Sequence, residues 1–206
     1  MRLELGKRVR CADGAARELA DVVIDAETSS VTHLVVQPHD DHEAARLVPI
    51  QLAEAGGDEH ELSLTCTAEM LKELEPVAAH AYLRAGDRIE QESNWDVGVE
   101  DMQSVPQYAP TGFGEYGEYG QDAVVTYDRV PKGEIELRRA SAVYSADRHH
   151  LGSVDGIVVD SGDRITQLLL KRGRLWWKRE LAIPAEAIAK FETDMVVLGV
   201  EKSEVG

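Results

Sequence analysis

The sequence predicts a mainly-β protein with two small β-barrels, joined by an acidic, aromatic and partly irregular connector that contains a short helix. Two observations predict this fold: short β-branched segments recur along the chain at a constant spacing, and the composition changes sharply between the ends and the middle. The chain has 206 residues, of which 43% are hydrophobic. That fraction is typical of a folded protein and too high for a disordered one.

Five segments near the N-terminus recur 134 or 135 residues later, in the same order. In the clearest pair, Leu19–Asp25 reads LADVVID and Val154–Asp160 reads VDGIVVD. The other pairs are Val9–Asp13 with Val143–Asp147, Val31–Val36 with Ile165–Leu170, Arg46–Ile50 with Leu181–Ala185, and Glu61–Thr65 with Met195–Gly199. One order and one spacing predict a tandem duplication. We call residues 1–72 the N-terminal repeat and residues 135–206 the C-terminal repeat.

The sequence of each repeat predicts five or six short strands, because runs of β-branched and apolar residues alternate with turn residues such as Asp13 and Asp147. A proline ends the fourth strand of each. In order, the predicted strands are Arg8–Cys11, Leu19–Asp25, Val31–Val36, Leu47–Ile50 and Glu61–Cys66, and then Ala142–Ser145, Val154–Asp160, Ile165–Lys171, Leu181–Pro184 and Met195–Val200. Strands this short bury one face only in a curled sheet or small barrel.

The connector, residues 73–134, has its own composition. Its net charge is −9, and it holds seven of the eleven aromatic residues. A helix is predicted over Thr67–Glu75, with Thr67 as its N-cap and Pro76 as its stop. The strands predicted after the helix are Tyr82–Arg84 and Ala123–Tyr127.

The C-terminal repeat resembles a PRC-barrel domain through three segments: Gly152–Asp160, Ile165–Leu170 and, after a hairpin, Leu181–Pro184. The N-terminal repeat resembles a more divergent copy of the same domain, with Arg17 or Glu18 at the position of Gly152. The layout resembles tandem PRC-barrel proteins of bacteria, whose role is generally unassigned. Relatives include a domain of a ribosome-maturation factor and the cytoplasmic part of the photosynthetic reaction-centre H subunit. The resemblance implies protein docking rather than catalysis.

Charge and composition narrow the classes of partner. The formal net charge is −16, made of −7 in residues 1–72, −9 in residues 73–134 and zero in residues 135–206. Such acidity argues against a protein that coats nucleic acid or an anionic membrane. Apolar runs fall far short of the ~18 residues of a membrane span, and residues 1–8 do not resemble a signal peptide. Cys11 and Cys66 are the only cysteines, which predicts a reducing, cytoplasmic location.

Motifs for chemistry are weak. His39–Glu43 and His149–His150 contain potential metal ligands, but no zinc or calcium spacing accompanies them, and a polar turn accounts for them equally well. Gly112–Gly120 is rich in glycine but lacks the Gly-Lys-Ser/Thr of a phosphate-binding loop. No nucleophile elbow is present. We therefore expect no catalytic residue, no metal and no cofactor, and a protein that is not an enzyme.

One segment, which we call the basic hairpin, runs against the overall charge. It spans Lys171–Arg179, and its candidate interaction residues are Lys171, Arg172, Arg174, Trp176, Trp177, Lys178 and Arg179. Adjacent tryptophans on a strand face opposite sides, so one of them is expected to be exposed. Three interpretations stay open: a docking site for an acidic protein, a plain hairpin with solvated charges, and a small platform for single-stranded nucleic acid.

The function predicted from these observations is a scaffold or adaptor that docks other proteins. Its partner is then another protein or a second copy of the chain, because two related barrels can pair about a pseudo-two-fold axis as homodimers do. We do not expect it to bind nucleic acid directly. The alternatives are an RNA-processing or ribosome-associated factor, by analogy with the ribosome-maturation factor, and a small-molecule or metal-binding sensor.

Overall fold

The fold is taken from a computed structural model, which describes residues 1–37, 44–57, 61–83, 95–104, 123–139, 141–172, 179–192 and 195–205. The chain divides into two compact units. The first unit combines Met1–Pro76 with Gly133–Gly206, and the second is Val77–Lys132.

Most of the described residues lie in β-strands. In chain order, the strands are β1 (Arg2–Glu4), β2 (Lys7–Arg10), β3 (Ala16–Asp25), β4 (Ser30–Gln37), β5 (Arg46–Pro49), β6 (Ala53–Ala55), β7 (Leu62–Leu64), β8 (Ala78–Leu83), β9 (Trp95–Ser104), β10 (Ala123–Pro131), β11 (Glu134–Arg138), β12 (Ala142–Tyr144), β13 (His150–Val159), β14 (Ile165–Arg172), β15 (Arg179–Pro184), β16 (Ile188–Glu192) and β17 (Met195–Leu198). An α-helix, α1, spans Ala68–Lys72, and short 3-10 helices span Ile50–Leu52 and Ala185–Ala187. The mainly-β prediction is confirmed.

The first unit contains two curled sheets whose described strands correspond one for one. The first sheet has the order β5-β4-β3-β2-β7-β6, and β11 pairs with β3 beside this path. The second sheet has the order β15-β14-β13-β12-β17-β16, and β1 pairs with β13. In each sheet one neighbouring pair is parallel, β2 with β7 and β12 with β17, and the other pairs are antiparallel.

Main-chain hydrogen bonds outside the ladders also correspond. The Ala12 amide donates to the carbonyl of Cys66 (3.0 Å), and the Ala146 amide donates to the carbonyl of Val200 (2.9 Å). These residues are 134 positions apart, as the sequence pattern requires. Arg17 lies opposite Val9 in the ladder, where Gly152 lies opposite Val143. Arg17, rather than Glu18, is therefore the residue that corresponds to Gly152.

Two strands cross between the sheets, and the sequence did not predict either of them. We call β1 and β11 the exchange strands: β1 precedes the strands of the first sheet but pairs in the second, whereas β11 precedes the strands of the second sheet but pairs in the first. Leu3 of β1 lies opposite Ile157, and Leu137 of β11 lies opposite Val22. All four side chains are fully buried. They belong to one hydrophobic core that runs through both sheets.

A pair of turns joins the sheets at a second place. The Val31 amide donates to the carbonyl of Asp163, and the Ile165 amide donates to the carbonyl of Ser29, both at 2.9 Å. Ser29 and Asp163 occupy corresponding turns and share the left-handed backbone conformation, with φ of 54° and 60°. The contacts between the two sheets are therefore reciprocal here as well.

Helix α1 begins where the sequence predicted and ends earlier. The Thr67 side chain accepts a hydrogen bond from the Met70 amide, as expected of an N-cap. The helix stops at Lys72 instead of Glu75. Beyond Lys72 the bonding changes to the shorter i→i−3 pattern: the Glu73 amide donates to the carbonyl of Met70 (3.1 Å) and the Leu74 amide to that of Leu71 (3.2 Å).

The second unit contains a three-stranded antiparallel sheet, with the order β8-β10-β9 in the described residues. The predicted strand Ala123–Tyr127 lies inside β10. Tyr82 and Leu83 of the other predicted strand lie in β8, and Arg84 lies outside the described residues. Strand β9 was not predicted.

Candidate docking hairpin

The structure places the ends of the basic hairpin on two neighbouring strands. Lys171 pairs with Glu180 and Arg172 pairs with Arg179 in the antiparallel ladder of β14 and β15. The hairpin prediction is therefore correct at its base. The other candidate residues of this segment, Arg174, Trp176, Trp177 and Lys178, lie outside the described residues.

Lys171 is engaged within the second sheet. Its ammonium nitrogen donates to Asp155 Oδ1 at 2.8 Å, and the two side chains are only 35% and 14% exposed. A half-buried ion pair of this kind stabilises the pairing of β14 with β13, beside the base of the hairpin. Arg172, the next residue, is exposed. The structure thus separates a lysine that holds the sheet together from an arginine that faces solvent.

Glu180 connects the hairpin base to an exchange strand. The Arg2 guanidinium donates to Glu180 Oε1 and also, at 2.6 Å, to Glu4 Oε1 on its own strand. Desolvation lowers the pKa of Arg2, but its hydrogen bonds to both carboxylates outweigh this and raise it. The sequence pattern could have shown this strand, because Leu3 and Leu137 are 134 positions apart and each has an acid and a base at its two sides.

The corresponding connection in the first sheet has the opposite charge. Strands β4 and β5 are joined by residues 38–45, which include Asp40, Asp41 and Glu43 and no lysine or arginine. The predicted metal-ligand candidates His39–Glu43 fall in this connection and lie outside the described residues. The two corresponding hairpins are therefore distinguished by charge rather than by strand pairing.

Four turn aspartates hold the backbone at corresponding places, and their hydrogen bonds lower all four pKa values. Asp13 accepts from the amides of Ala68 and Ala15, with Ala68 as the main cause of its lowered pKa. Asp147 accepts from the Ser145 hydroxyl, the main cause, and from the amide of Lys202.

In the turns where the two sheets meet, the other two aspartates act in the same way. The Thr28 hydroxyl is the main cause of the lowered pKa of Asp25, and the Arg164 amide has that role for Asp160. Because hydrogen bonds to a carboxylate favour its charged form, these turns depend on ionised aspartates.

Ser145, Asp147 and His149 bring a hydroxyl, a carboxylate and an imidazole together without forming a catalytic triad. Asp147 lies between the other two: Ser145 Oγ donates to its Oδ1 at 2.5 Å, and its Oδ2 is 2.8 Å from His149 Nδ1. In a triad the histidine takes the proton of the nucleophile. Ser145 is only 1% exposed, so its hydroxyl serves the turn.

His33, Thr32 and Glu134 form a second polar cluster. Thr32 Oγ1 donates to Glu134 Oε2 at 2.5 Å, and His33 Nδ1 lies 3.1 Å from Thr32 Oγ1. The cluster links β4 to the first residue of β11. Its geometry serves to hold an exchange strand.

The remaining candidates are structural. His150 packs edge-on against Tyr144, with ring centroids 5.4 Å apart. Among the described residues, no three histidine, cysteine or acidic side chains are grouped so as to hold a metal ion. Cys11 and Cys66 are both buried, and burial raises the pKa of each thiol. Thiols of this kind are poor nucleophiles.

The described residues expose few large hydrophobic side chains. Met70, at 57% exposed, is the one large hydrophobic side chain that is exposed in the described part of the chain. Within the same residues, no helix is long and apolar enough to cross a membrane.

No protein-family model and no curated protein matches the chain.

Proposed function

We propose that this protein is a non-enzymatic adaptor that docks another protein through the basic hairpin of its C-terminal repeat. One observation carries the proposal: the ladder from Lys171↔Glu180 to Arg172↔Arg179 closes a hairpin whose connection is basic and tryptophan-rich, while the corresponding connection is acidic. Exposed Arg172 at the base is consistent with a charged rim around an aromatic anchor. An acidic surface on the partner fits this chemistry.

The architecture that presents the hairpin is, in this proposal, a tandem pair of PRC-like barrels joined by the connector. The shared strand order of the two sheets supports this interpretation. Their repeated hydrogen bonds, such as those from the Ala12 and Ala146 amides, support it as well. Two polar clusters among the described residues, those of Asp147 and Glu134, favour docking over catalysis, because their hydrogen bonds join residues of turns and strands to each other.

A crosslinking pull-down tests the docking role. Wild-type protein, a Trp176→Ala/Trp177→Ala variant and an Arg148→Glu control are used as baits in an extract of the source cells. Arg148 is an exposed cation on another turn of the second sheet, so its variant controls for loss of positive charge alone.

We expect wild type and the Arg148→Glu control to recover the same protein, and the double tryptophan variant to lose it. An additional Arg172→Glu variant should weaken recovery partially, because rim charges contribute less than aromatic anchors. Equal recovery by all baits would contradict the hairpin as a docking site. Recovery of ribosomal proteins would point to the ribosome-associated alternative.

A further inference from the structure

We propose that the charges on the exchange strands make residues 1–76 pair with residues 133–206 in preference to a second copy of residues 1–76. We call these segments the first half and the second half. In this view each half is an incomplete module whose missing strand is supplied by a different, matching module.

Burial shows that each exchange strand completes the sheet it joins. Leu3 and Leu137 are both 0% exposed, as are Ile157 and Val22 opposite them. Without β1, Gly156–Val158 of β13 would keep β14 on one side and lose their ladder partner on the other. The same holds for Asp21–Asp25 of β3 without β11. Unpaired edges beside an open core favour association.

The second sheet is also shaped for its incoming strand. A Cβ added at Gly156 would collide with the carbonyl oxygen of Leu3, so the close approach of β1 depends on glycine here. Beyond this pair, the Leu5 amide donates to the carbonyl of Asp155 at 2.8 Å.

The charges on the two exchange strands are arranged in opposite order. On β1, Arg2 and Glu4 flank the buried Leu3, and on β11, Glu136 and Arg138 flank the buried Leu137. Within each strand the pair is bonded: Arg2 Nε lies 2.6 Å from Glu4 Oε1, and Arg138 Nε lies 3.1 Å from Glu136 Oε2. By position, Arg2 corresponds to Glu136 and Glu4 corresponds to Arg138.

Each accepting sheet carries the charge that matches the strand it receives. In the second sheet, Arg2 pairs with Glu180. In the first sheet, Arg138 lies directly opposite Asp21, and the Arg139 amide donates to Asp21 Oδ1 at 2.9 Å. Arg138 and Asp21 face each other across a ladder, where opposite charges are stabilising and like charges destabilising, and Arg2 and Glu180 form an ion pair between strands that are not ladder neighbours.

Pairing two identical halves would bring like charges together. If a second half received β11 in its own sheet, Glu136 would take the place of Arg2 and face Glu180. If a first half received β1, Glu4 would take the place of Arg138 and lie opposite Asp21. By symmetry, a pair of second halves would form the first of these contacts twice, and a pair of first halves would form the second of them twice. The arrangement therefore combines an attraction for the correct half with a repulsion of the wrong one.

The test begins with the folded, full-length chain. Protease recognition sequences are introduced after Pro76 and after Lys132, the boundaries of the first unit, and the protein is cut after folding. We expect the two halves to co-elute in a 1:1 ratio on size exclusion. Elution as separate halves, or as pairs of identical halves, would overturn the proposal.

Selectivity is measured by competition. A cleaved complex that carries an affinity tag on its first half is mixed with an excess of untagged cleaved complex, and the untagged halves captured with the tag are counted after exchange. We expect capture of the second half to exceed capture of the untagged first half by about tenfold or more, from the cross-strand charge pairs gained and the repulsions avoided. Equal capture would contradict the charge-selective part of the proposal.

Charge reversal then tests the cause. Arg2→Glu alone should weaken association of the halves, because the new carboxylate faces Glu180 and also lies beside Glu4 on its own strand, and adding Glu180→Arg should recover about threefold to fivefold of that loss. Loss in the double variant as large as in the single would show that the pair does not act as a charge match.

A glycine pair tests the steric fit. Gly156→Ala should weaken association by about 30-fold, because β1 must move away from the added carbon. Gly57→Ala has open space around the new carbon and should have no effect. Circular dichroism of each uncut variant shows whether its sheets are intact, so a misfolded variant is not counted. Equal association of intact Gly156→Ala and wild type would overturn the strand-fit argument.

Discussion

The first and second sheets share one framework but differ in the residues placed on it. Their strand orders correspond, and both receive a strand from outside their own path. At corresponding positions, however, Cys11 stands for Ser145 and Arg17 for Gly152, and an acidic connection stands for the basic hairpin. The turn aspartates and most core positions are alike in the two sheets, because the same backbone geometry requires the same kind of residue there. The two sheets therefore differ most in the charge and aromatic content of their corresponding connections.

The largest expected effect comes from truncating the buried leucine of each exchange strand. Leu3→Ala and Leu137→Ala should each lower the free energy of unfolding by about 3 kcal/mol, because both side chains are fully buried. Urea denaturation measures this, and Met70→Ala, at an exposed site, is the control with a change under about 0.5 kcal/mol. A loss below about 1 kcal/mol for one leucine would show that the two strands are not equivalent.

A smaller effect separates the two basic residues at the hairpin base. Lys171→Met should cost about 1 kcal/mol of unfolding free energy, because it leaves the half-buried Asp155 without its ammonium partner. Arg172→Met should change stability little, since Arg172 is exposed. If both variants unfold at the same urea concentration, the division between a structural and a solvent-facing cation is wrong.

Acid should weaken both sheets through the turn aspartates. The pKa of each is lower in the folded state than in the unfolded chain, so their contribution is present above the ordinary aspartate pKa of about 3.9 and is lost as the pH falls through the lower, folded value. Thermal melts between pH 7 and pH 2 should show the loss mainly below pH 4.

A variant with Asp13→Asn and Asp147→Asn should be less stable than wild type at pH 7 and should approach it at the acid end. Asp163→Asn is the control, because Asp163 contacts Val31 through its carbonyl rather than its side chain. A stability gap between the double variant and wild type that is independent of pH would contradict the role of the carboxylates.

The smallest expected effect is a substitution that makes one sheet resemble the other. Cys11→Ser should change the unfolding free energy by less than about 1 kcal/mol, because Ser145 at the corresponding place donates to Asp147 and Asp13 is the carboxylate that corresponds to Asp147. Cys66→Ser is the contrasting variant and should be more destabilising. Val200 stands at the position that corresponds to Cys66, and a hydroxyl buried there without a hydrogen-bond partner is unfavourable. Greater damage from Cys11→Ser than from Cys66→Ser would contradict the correspondence.

Local patterns predicted much of the fold. The ten strands predicted in the two repeats all overlap observed strands, because apolar and β-branched runs between turn residues mark them clearly. Strands β6 and β16 were missed, since Ala53–Ala55 and Ile188–Glu192 lack such runs. The hairpin base was predicted correctly, but the sequence could not tell that Lys171 is held by Asp155, sixteen residues away.

The sequence by itself determined the period of the chain: strands, turns and an aspartate in each first turn recur at 134 or 135 residues, because these depend on local backbone preference. Only the tertiary structure decided which half each strand would join. Leu3 is buried within the second sheet and Leu137 within the first, because each exchange strand pairs where its leucine joins the core and its charges lie near opposite ones. The burial of these leucines and the attraction between charges on distant strands exist only once both halves are folded together.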